Sequence, residues 1–303
     1  MSQSFGNEIA IEVPGSTSNM GAGFDTVGLA LQIYLTVKAK KTGVFKLELK
    51  GEGKAGLPED ESNLVVKTYL AACKEFHLEP VAFHLTIQND IPIKRGLGSS
   101  GAAIAAGLYL VQHQSGHKLP VRELLELGCK IEGHPENLVA SFLGGFSVNC
   151  YTGQKLTYRH FRKIPPLQAV LLVPEFSIST VDARRLLPAK MPFADAVANV
   201  QRCGLLVAAL TSGDFSLLRE AVKDKLHQPF RKKLIPGFDA ILNAAYYAGA
   251  RAVFLSGSGS TVLALADGHT DNIAEAMQLA ICDQSYASEI RIVDIDTKGA
   301  RVK

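Results

Sequence analysis

The segment PIKRGLGSSGAA, residues 92–103, follows an alternating strand pattern and precedes a long apolar stretch typical of a helix. Gly96 and Gly98 permit positive φ angles and let a ligand approach the backbone. The helix that follows would present unpaired N–H groups and the positive end of its dipole, which together favour an anion. Ser99 and Ser100 lie near the N-cap, where their hydroxyls can cap the helix or bind phosphate and magnesium. Alone, this loop leaves phosphate binding and an ordinary serine-capped turn equally open, because it has no Walker A ending and no dinucleotide fingerprint.

Two further glycine-rich segments make an ordinary turn a poor explanation. VPGSTSNMGAGFDTVGLAL, residues 13–31, is predicted to place a polar, flexible loop with Asn19 and Asp25 between two apolar strands. FLSGSGSTVLAL, residues 254–265, repeats that arrangement with residues 256–260. An isolated aspartate in a loop is most often a turn or cap residue. Its place in a motif that is one of three such loops favours a functional role for Asp25.

Composition narrows the classes of protein. With 303 residues and 47% hydrophobic content, the chain can bury a sizeable core in one large or two ordinary domains. A formal net charge of +3 is too small and dispersed to indicate a nucleic-acid partner. The uncharged stretch 96–112 is too short to span a bilayer and favours a buried helix, so we expect no membrane partner. The start MSQSFGNEIAIEV has no basic region followed by an apolar one, and a cytoplasmic location is therefore expected.

The five cysteines are odd in number, widely spaced and without a CxxC pair: Cys73, Cys129, Cys150, Cys203 and Cys282. This spacing disfavours a disulfide framework or a structural metal in a chain of this size. We therefore predict reduced, buried thiols.

The pattern of apolar residues predicts mixed strands and helices in both halves. Strands are expected at 9–13, 45–49, 83–87, 168–173, 252–255, 261–265 and 290–294, and helices at 63–76, 99–114, 121–130, 193–210, 238–248 and 272–282. A linker is predicted at 153–166, where polar and basic residues end in a Pro-Pro pair. The expected fold class is α+β, with an N-terminal domain at 1–160 and a C-terminal domain at 161–303.

These three motifs, in this order, resemble those of the GHMP kinases, and the resemblance covers nearly the whole chain. It implies a two-domain GHMP kinase fold, with the phosphate-binding loop in the N-terminal domain and a ferredoxin-like C-terminal domain. It also implies an ATP-dependent kinase in which the GLGSS loop wraps the phosphates of ATP. The ATP-binding residues implied are Pro92, Ile93, Lys94, Arg95, Gly96, Leu97, Gly98, Ser99, Ser100, Gly101 and Ala102.

Within the family, the resemblance is strongest to the members that act on homoserine, and it implies particular contacts. The first motif places Asn19 and Asp25 at the acceptor. The segment IEGHPENLVASFLGG resembles the family's IEGHPDN segment, which implies Glu132 as a catalytic Mg²⁺ ligand, together with Ser99 or Ser100. The further substrate contacts implied are His134, Asn137, Thr180, Arg184, Arg231 and Gly259. Glu136 stands where the family has Asp, so no role is carried over to that position.

Two guanidinium groups, those of Arg184 and Arg231, can hold a carboxylate through paired hydrogen bonds, which favours an amino-acid acceptor over a neutral sugar. The acceptor implied by the resemblance is L-homoserine, and the product is O-phospho-L-homoserine in threonine biosynthesis. Asp25 would orient the acceptor hydroxyl. Members of the family are typically homodimers, so a homodimer is also expected.

Several alternatives stay open at this point. The chain could phosphorylate a mevalonate-like acid or a sugar, or it could be a non-catalytic nucleotide or ligand sensor of the same fold. An RNA-binding protein with a related N-terminal fold is disfavoured, since no basic stripe with stacking aromatics is present. His134 could be an ordinary loop histidine. The Lys94–Arg95 pair and Arg185 are more simply explained as exposed charges.

Overall fold

The computed structural model describes residues 8–303 and contains two sheets, each packed with helices. The larger sheet consists of β1 (Glu8–Asn19), β2 (Gly23–Lys41), β3 (Lys46–Gly51), β4 (Phe83–Asn89), β5 (Phe146–Tyr151), β6 (Leu156–Phe161) and β11 (Arg301–Val302). The smaller sheet consists of β7 (Gln168–Pro174), β8 (Ala252–Leu255), β9 (Val262–Ala266) and β10 (Ser288–Asp294). The chain is thus α+β, as its apolar periodicity predicts.

The larger sheet is organised around the long antiparallel pair β1 and β2. The strand order is β11-β1-β2-β4-β3, and β5 pairs with the other part of β2 and with β6. The helices of this half are α1 (Leu64–Glu75), α2 (Ser99–Gln114), α3 (Val121–Glu132) and α4 (Glu136–Leu143). Helices α2 and α4 pack on β1 and β2, so the loops that begin these two helices lie beside the end of the β1–β2 hairpin.

The smaller sheet has the order β10-β7-β9-β8 with antiparallel neighbours, which is the ferredoxin-like arrangement. Its half of the chain contains α5 (Thr180–Arg185), α6 (Phe193–Ser212), α7 (Leu218–Ala221), α8 (Gln228–Arg231), α9 (Phe238–Tyr247) and α10 (Thr270–Leu279). Helices α9 and α10 pack against each other and against this sheet. The short helices α5 and α8 carry Arg184 and Arg231 at their C-terminal ends.

Most predicted elements are confirmed within one to four residues, but two predicted loops are wrong. The segment 13–31 is mainly strand, because β1 and β2 run through it and leave only residues 20–22 as a turn. Its polar residues Ser16, Thr17 and Ser18 are buried on the strand because they hydrogen-bond to other elements. The predicted linker 153–166 contains β6, which pairs with β5 from Leu156 to Phe161.

The end of the chain also departs from expectation. The short strand β11 leaves the C-terminal half and pairs with β1, through Val302 opposite Ile11. A two-residue strand has no periodic signal, so the sequence could not reveal it. Apart from β11, the strands up to β6 belong to the larger sheet and those from β7 onward to the smaller sheet. The domain boundary between residues 160 and 161 stays a prediction. The first seven residues, part of the segment used to argue against secretion, lie outside the described residues.

The cysteines are all free, as predicted, but not all are buried. Cys73 and Cys129 lie in the core, whereas Cys150 and Cys282 are exposed and Cys203 is half-buried. The prediction of buried thiols is therefore wrong for three of the five. Cys150 lies near the end of β5, Cys203 on a half-buried side of α6, and Cys282 in the turn that follows α10.

Helix α6 is the one helix among residues 8–303 that is long and apolar enough to cross a membrane, by length and composition. Only 22% of its most apolar stretch is buried. Asn199 in this helix donates to the backbone carbonyl of Ala22 at 2.8 Å, and Leu206 and Leu210 enter the larger core. The helix is therefore an integral part of the folded chain, with one apolar side left exposed.

Candidate active site

One cavity of about 380 Å³ lies where the β1–β2 turn, the loop before α2, the α3–α4 connection and the C-terminal half meet. One part is apolar and is formed by residues from separate segments of the N-terminal half: Leu49, Leu57, Val65, Ile87, Pro92, Ile93, Leu97 and Ala103. The other part is polar and contains the predicted acids, serines and arginines. Such a division suits a ligand with an apolar ring at one end and charged groups at the other.

The loop before α2 is built for close backbone approach. Gly98 is the N-cap of α2 with φ +71°, and Gly96 has φ +75°. A Cβ atom on Gly98 would lie 2.2 Å from Ser16 Oγ, and one on Gly96 would lie 2.0 Å from the Ser256 carbonyl oxygen. No side chain caps α2, so its first N–H groups are available at a surface that already lines the cavity. This arrangement favours phosphate.

Ser100 and Glu132 join the start of α2 to the end of α3. Ser100 Oγ donates to Glu132 Oε2 at 2.7 Å, and both residues line the cavity. Burial is the main cause that raises the pKa of Glu132. A hydroxyl beside a buried carboxylate is a pair of hard oxygen donors, and Mg²⁺ is commonly held by one or two carboxylates together with substrate phosphates. These two residues therefore fit a magnesium ion bound with a nucleotide, and Ser99 lines the cavity beside them.

No group of three or more His, Cys, Asp or Glu side chains within residues 8–303 could hold a metal without other ligands. A metal ion in this cavity would therefore need oxygens from a bound phosphate in addition to Ser100 and Glu132.

His134 and Glu136 form a buried charged pair at the start of α4. Nδ1 of His134 lies 3.1 Å from Oε1 of Glu136, and its Nε2 lies 3.9 Å from Oε1 of Glu132. Burial acts to lower the pKa of His134, but the contact with Glu136 and the neighbouring carboxylates raise it to about 9. Burial acts in the opposite direction on Glu136, and His134 lowers its pKa overall. The pair is thus an imidazolium and a carboxylate at neutral pH.

Glu136 is the functional candidate that the sequence comparison left without a role. The residue is 2% exposed and lines the cavity, and its Oε2 atom has no hydrogen-bond partner within residues 8–303. Buried acceptors are nearly always satisfied, so this oxygen is a candidate to accept a hydrogen bond from a ligand. The only signal at this position in the sequence is that Glu stands where the family has Asp.

Asn19 and Asn137 line the cavity, and their amides also hold it together. Asn137 accepts from Ser16 Oγ and donates to Ser18 Oγ, both at 3.0 Å, which fixes α4 on β1. Asn19 donates to the Gly257 carbonyl oxygen at 2.9 Å and accepts from the Asp25 backbone N–H at 2.9 Å. The first contact ties the N-terminal half to the C-terminal half, and the second supports Asp25.

Asp25 has a left-handed backbone, with φ +50°, that is unusual for a residue other than glycine. Its carboxylate accepts from Arg184 Nη2 at 2.9 Å through each oxygen. Burial is the main cause that raises the pKa of Asp25, the charge of Glu136 adds to this effect, and Arg184 opposes it. The polar end of the cavity therefore holds several acidic groups close to one another, with Arg184 at its edge.

Arg231 brings a positive charge into the interior. The residue is 2% exposed, and its guanidinium donates to the carbonyl oxygens of Gly257 and Ala183 at 3.2 and 3.4 Å. Burial lowers the pKa of Arg231 to about 10, so it stays protonated at neutral pH. These hydrogen-bond acceptors are neutral, while the charges of Asp25, Asp224 and Glu136 favour the protonated guanidinium without forming an ion pair with it. Arg231 can therefore still attract an anion in the cavity. Thr180 is nearby, with its Oγ1 3.5 Å from Ser258 Oγ.

Four predicted ligand residues do not line the cavity. Arg95 points away and donates to backbone carbonyls of Ile93, Pro174 and Glu175. Gly101 and Ala102 lie inside α2, facing α4 and the core. Gly259 is packed near Leu255, Ile178 and Ile235, while Gly257 and Ser258 take the cavity wall in its place.

Two family models match this chain. The model described as "GHMP kinases N terminal domain" matches residues 63–145, and the model described as "GHMP kinases C terminal" matches residues 206–284. The homoserine kinase of Aquifex aeolicus is 39% identical over 298 residues, covering 97% of this chain and 99% of that protein. That of Persephonella marina is 38% identical over 301 residues, covering 97% and 98%.

Solved structures of GHMP kinases also resemble this chain. The crystal structure of homoserine kinase from Cytophaga hutchinsonii superposes with a TM-score of 0.89 at 28% identity and covers 99% of each chain. Phosphomevalonate kinase of Streptococcus pneumoniae shares the fold at 13% identity, with a TM-score of 0.72 over 95% of this chain and 99% of that one.

The chain belongs to the GHMP kinase family. Relatives that are 36–39% identical to it along nearly their whole length are named homoserine kinases.

Proposed function

We propose that this protein is an ATP-dependent kinase that phosphorylates the side-chain hydroxyl of L-homoserine and releases O-phospho-L-homoserine and ADP. The observation that carries this proposal is one cavity shared by the phosphate-type loop before α2 and two guanidinium groups, Arg184 and Arg231. A phosphate donor and an acceptor with a carboxylate would thus meet in one place. The near full-length relatives named homoserine kinase support the same substrate.

The acceptor is proposed to bind at the polar end. Its carboxylate would pair with Arg231, whose charge lacks an ion-pair partner within residues 8–303, and with Arg184. Its ammonium group would lie near the carboxylates of Asp25 and Glu136, since both face the cavity. Asn19, His134, Asn137 and Thr180 would complete this pocket. A site with both charges matched disfavours a neutral sugar, which offers neither.

The donor is proposed to bind with its phosphates at the start of α2 and its base in the apolar part of the cavity. Ser100, Ser99 and Glu132 would hold Mg²⁺, which when bound neutralises charge on the phosphates. Phosphoryl transfer depends mainly on alignment and charge stabilisation, so fixed positions at Gly98, Ser100 and Glu132 account for much of the catalysis. Asp25 is proposed to orient the acceptor hydroxyl rather than to act alone.

Two alternatives are less well supported. A kinase for a mevalonate-like acid would use the arginines but would leave the acidic side chains of Asp25 and Glu136 without an ammonium partner. A non-catalytic sensor would be expected to lose its metal residues, yet Ser100 and Glu132 are present and in contact.

Coupled ADP release tests the proposal with purified protein, Mg-ATP and, in separate assays, L-homoserine, mevalonate, galactose, L-serine and no acceptor. Turnover that depends on homoserine and far exceeds the others is the expected result. Preference for mevalonate or galactose would replace the substrate, and ATP binding without turnover on any acceptor would favour the sensor.

A homodimer and a cytoplasmic location are also proposed. Helix α6 exposes Phe193 (85%), Val197 (39%) and Val200 (73%) along one side. Its two charged residues, Asp195 and Arg202, pair within the chain, at 3.5 Å to Lys225 and 2.9 Å to Glu220. An uncharged apolar side can pack on its own copy without charge repulsion. Light scattering should show a dimer that Val200→Asp converts to a monomer; a wild-type monomer would exclude it.

A further inference from the structure

The ring of Phe24 is the common neighbour of the groups proposed to bind the substrate carboxylate. The Cζ atom of Arg231 lies over this ring at 5.2 Å from its centroid, and that of Arg184 lies over it at 5.6 Å. The imidazole of His227 stacks on Phe24 with ring centroids 5.1 Å apart and an interplanar angle of 24°. Three nitrogen-containing side chains from two segments, Arg184 of α5 and His227 and Arg231 at the two ends of α8, therefore converge on one aromatic ring.

The contact of both arginines with the Phe24 ring reduces the repulsion between their charges. Two guanidinium groups that share one small pocket repel each other, and Arg231 is also buried away from water. The face of an aromatic ring carries partial negative charge and attracts cations, with larger effect where water is excluded. Phe24 thus offsets part of the repulsion in addition to Asp25, whose carboxylate accepts from Arg184 and whose charge favours protonated Arg231. Unlike a second carboxylate, the ring does not compete with the substrate for the two arginines.

The position of Phe24 in the chain supports the same role. It follows Gly23 and precedes Asp25, whose carboxylate accepts from Arg184 at 2.9 Å. On its other side, the Gly21 carbonyl oxygen lies 2.9 Å from Nε2 of His227. The segment 21–25 therefore contacts α5 through Arg184 and the start of α8 through His227.

His227 completes the support of Arg231. Its Nδ1 atom lies 3.4 Å from Nη1 of Arg231, so the tautomer with a proton on Nε2 donates to Gly21 and accepts from Arg231. The ring is fully buried, and burial lowers the pKa of His227 to about 4, which keeps it neutral as an acceptor. A neutral imidazole and an aromatic face both hold the guanidinium without cancelling its charge.

An ordinary packing role explains less. Within residues 8–303, neither hydrophobic core includes Phe24, although both contain other phenylalanines. Its ring is only partly buried. A residue that served packing alone would be expected among aliphatic side chains.

We infer that Phe24 is a positioning residue, whose ring holds Arg184 and Arg231 side by side and thereby sets the preference of the acceptor site for a carboxylate. The kinetic part of this inference rests on the proposed function. The spectroscopic part concerns only the arrangement of the side chains.

The kinetic test compares Phe24→Leu, which keeps apolar volume but removes the ring, with Phe24→Tyr, which keeps the ring. Phe24→Leu should raise KM for L-homoserine about tenfold and leave KM for ATP unchanged. With homoserinol, the amino diol that lacks the carboxylate, wild type and Phe24→Leu should have equal kcat/KM. Phe24→Tyr should behave as wild type. Phe215→Leu, the same substitution at another partly buried phenylalanine that does not line the cavity, is the matched control.

Equal losses for homoserine and homoserinol, or a rise in KM for ATP, would assign Phe24 a general structural role and overturn the inference. The second measurement is proton–nitrogen NMR of the arginine Nε–Hε groups, assigned with Arg184→Lys and Arg231→Lys. Ring-current shifts of both arginines should be present in wild type and Phe24→Tyr and absent in Phe24→Leu. If wild type fails to phosphorylate homoserine, the proposed function fails, and this spectrum still decides the inference: unchanged arginine signals in Phe24→Leu would refute it.

Discussion

Arg184 holds Asp25 through a single nitrogen, with Nη2 donating to both carboxylate oxygens at 2.9 Å. The described hydrogen bonds of Arg184 use no other nitrogen, so the rest of its guanidinium can meet a second anion. The contact also joins β2 of the N-terminal half to α5 of the C-terminal half. An acceptor carboxylate that takes a share of Arg184 would loosen Asp25 and make it available to the other end of the acceptor.

Arg184→Ala tests whether the acceptor carboxylate binds Arg184 together with Asp25. A charge-assisted hydrogen bond contributes about 1.5–3 kcal/mol, so KM for L-homoserine should rise roughly tenfold to a hundredfold, with KM for ATP unchanged. Steady-state kinetics with each substrate varied provides the measurement. Arg185→Ala is the control, since this neighbouring side chain is 75% exposed and pairs with Asp182. Equal effects of the two substitutions would show that helix α5 as a whole matters, and not the Arg184 guanidinium.

Glu132→Gln should act on turnover. The amide keeps the shape of the side chain but removes the charge beside Ser100, so kcat should fall by about a hundredfold or more while KM for homoserine changes little. Raised Mg²⁺ should restore part of the rate if Glu132 is a metal ligand. Glu123→Gln, at an exposed position in the first turn of the same helix, should leave kcat unchanged. A Glu132→Gln variant with wild-type kcat would show that Glu132 has no part in catalysis.

The pair of His134 and Glu136 predicts a pH dependence. The pKa of His134 is about 9 in the folded protein, above its ordinary value of 6.5. A raised pKa in the folded state stabilises the fold most below pH 6.5, and this contribution is lost as the pH rises through 9. Deprotonation would also leave the buried Glu136 carboxylate without its counter-charge.

Urea unfolding of wild type and His134→Gln, at several pH values between about 6 and 9.5, measures this effect. The difference in unfolding free energy between the two proteins should shrink steadily as the pH rises. His77→Asn is the control, because His77 is exposed and its left-handed backbone tolerates Asn. A difference that stays constant with pH would mean that folding does not raise the pKa of His134.

The sequence predicts those parts of the fold that carry a local periodic signal. Helix α2 begins and ends where its apolar pattern predicts, at Ser99 and Gln114, because a long run of small apolar residues buries almost every side. The polar strand residues Ser16 and Ser18 were predicted as loop because their partner, Asn137, lies more than a hundred residues away. The two-residue strand β11 is fixed only by pairing with β1.

Some residues of the site could also be predicted from the sequence, and others could not. Gly98 and Ser100 follow from the chemistry of a glycine-rich loop before a helix, and Glu132 from a family motif. Glu136 could not be assigned, because its role depends on an unsatisfied oxygen that only the packed structure reveals. The apolar end of the cavity could not be predicted, since it combines residues from β3, α1, β4 and α2 with loop residues. Phe24 gave no signal either, because a partly buried phenylalanine in a motif is normally explained as packing.

Gly98→Ala separates two effects of the phosphate loop, backbone conformation and close approach. Gly98 and Gly116 both have left-handed backbones, with φ +71° and +69°. A Cβ atom on Gly116 would meet nothing within 4 Å, whereas one on Gly98 would lie 2.2 Å from Ser16 Oγ and 3.0 Å from Asn137 Oδ1. Gly116→Ala therefore carries only the conformational cost, about 1–2 kcal/mol of unfolding free energy.

Gly98→Ala should lose that amount and about 1–3 kcal/mol more, since Ser16 and Asn137 must shift to admit the methyl group. The same shift displaces the start of α2, so KM for ATP should rise in Gly98→Ala and stay at the wild-type value in Gly116→Ala. Urea unfolding and ATP-dependent kinetics on both variants provide the two readouts. If both variants lose equal stability and keep equal KM for ATP, the backbone angle alone explains Gly98, and the close contact of the loop with β1 and α4 has no part in nucleotide binding.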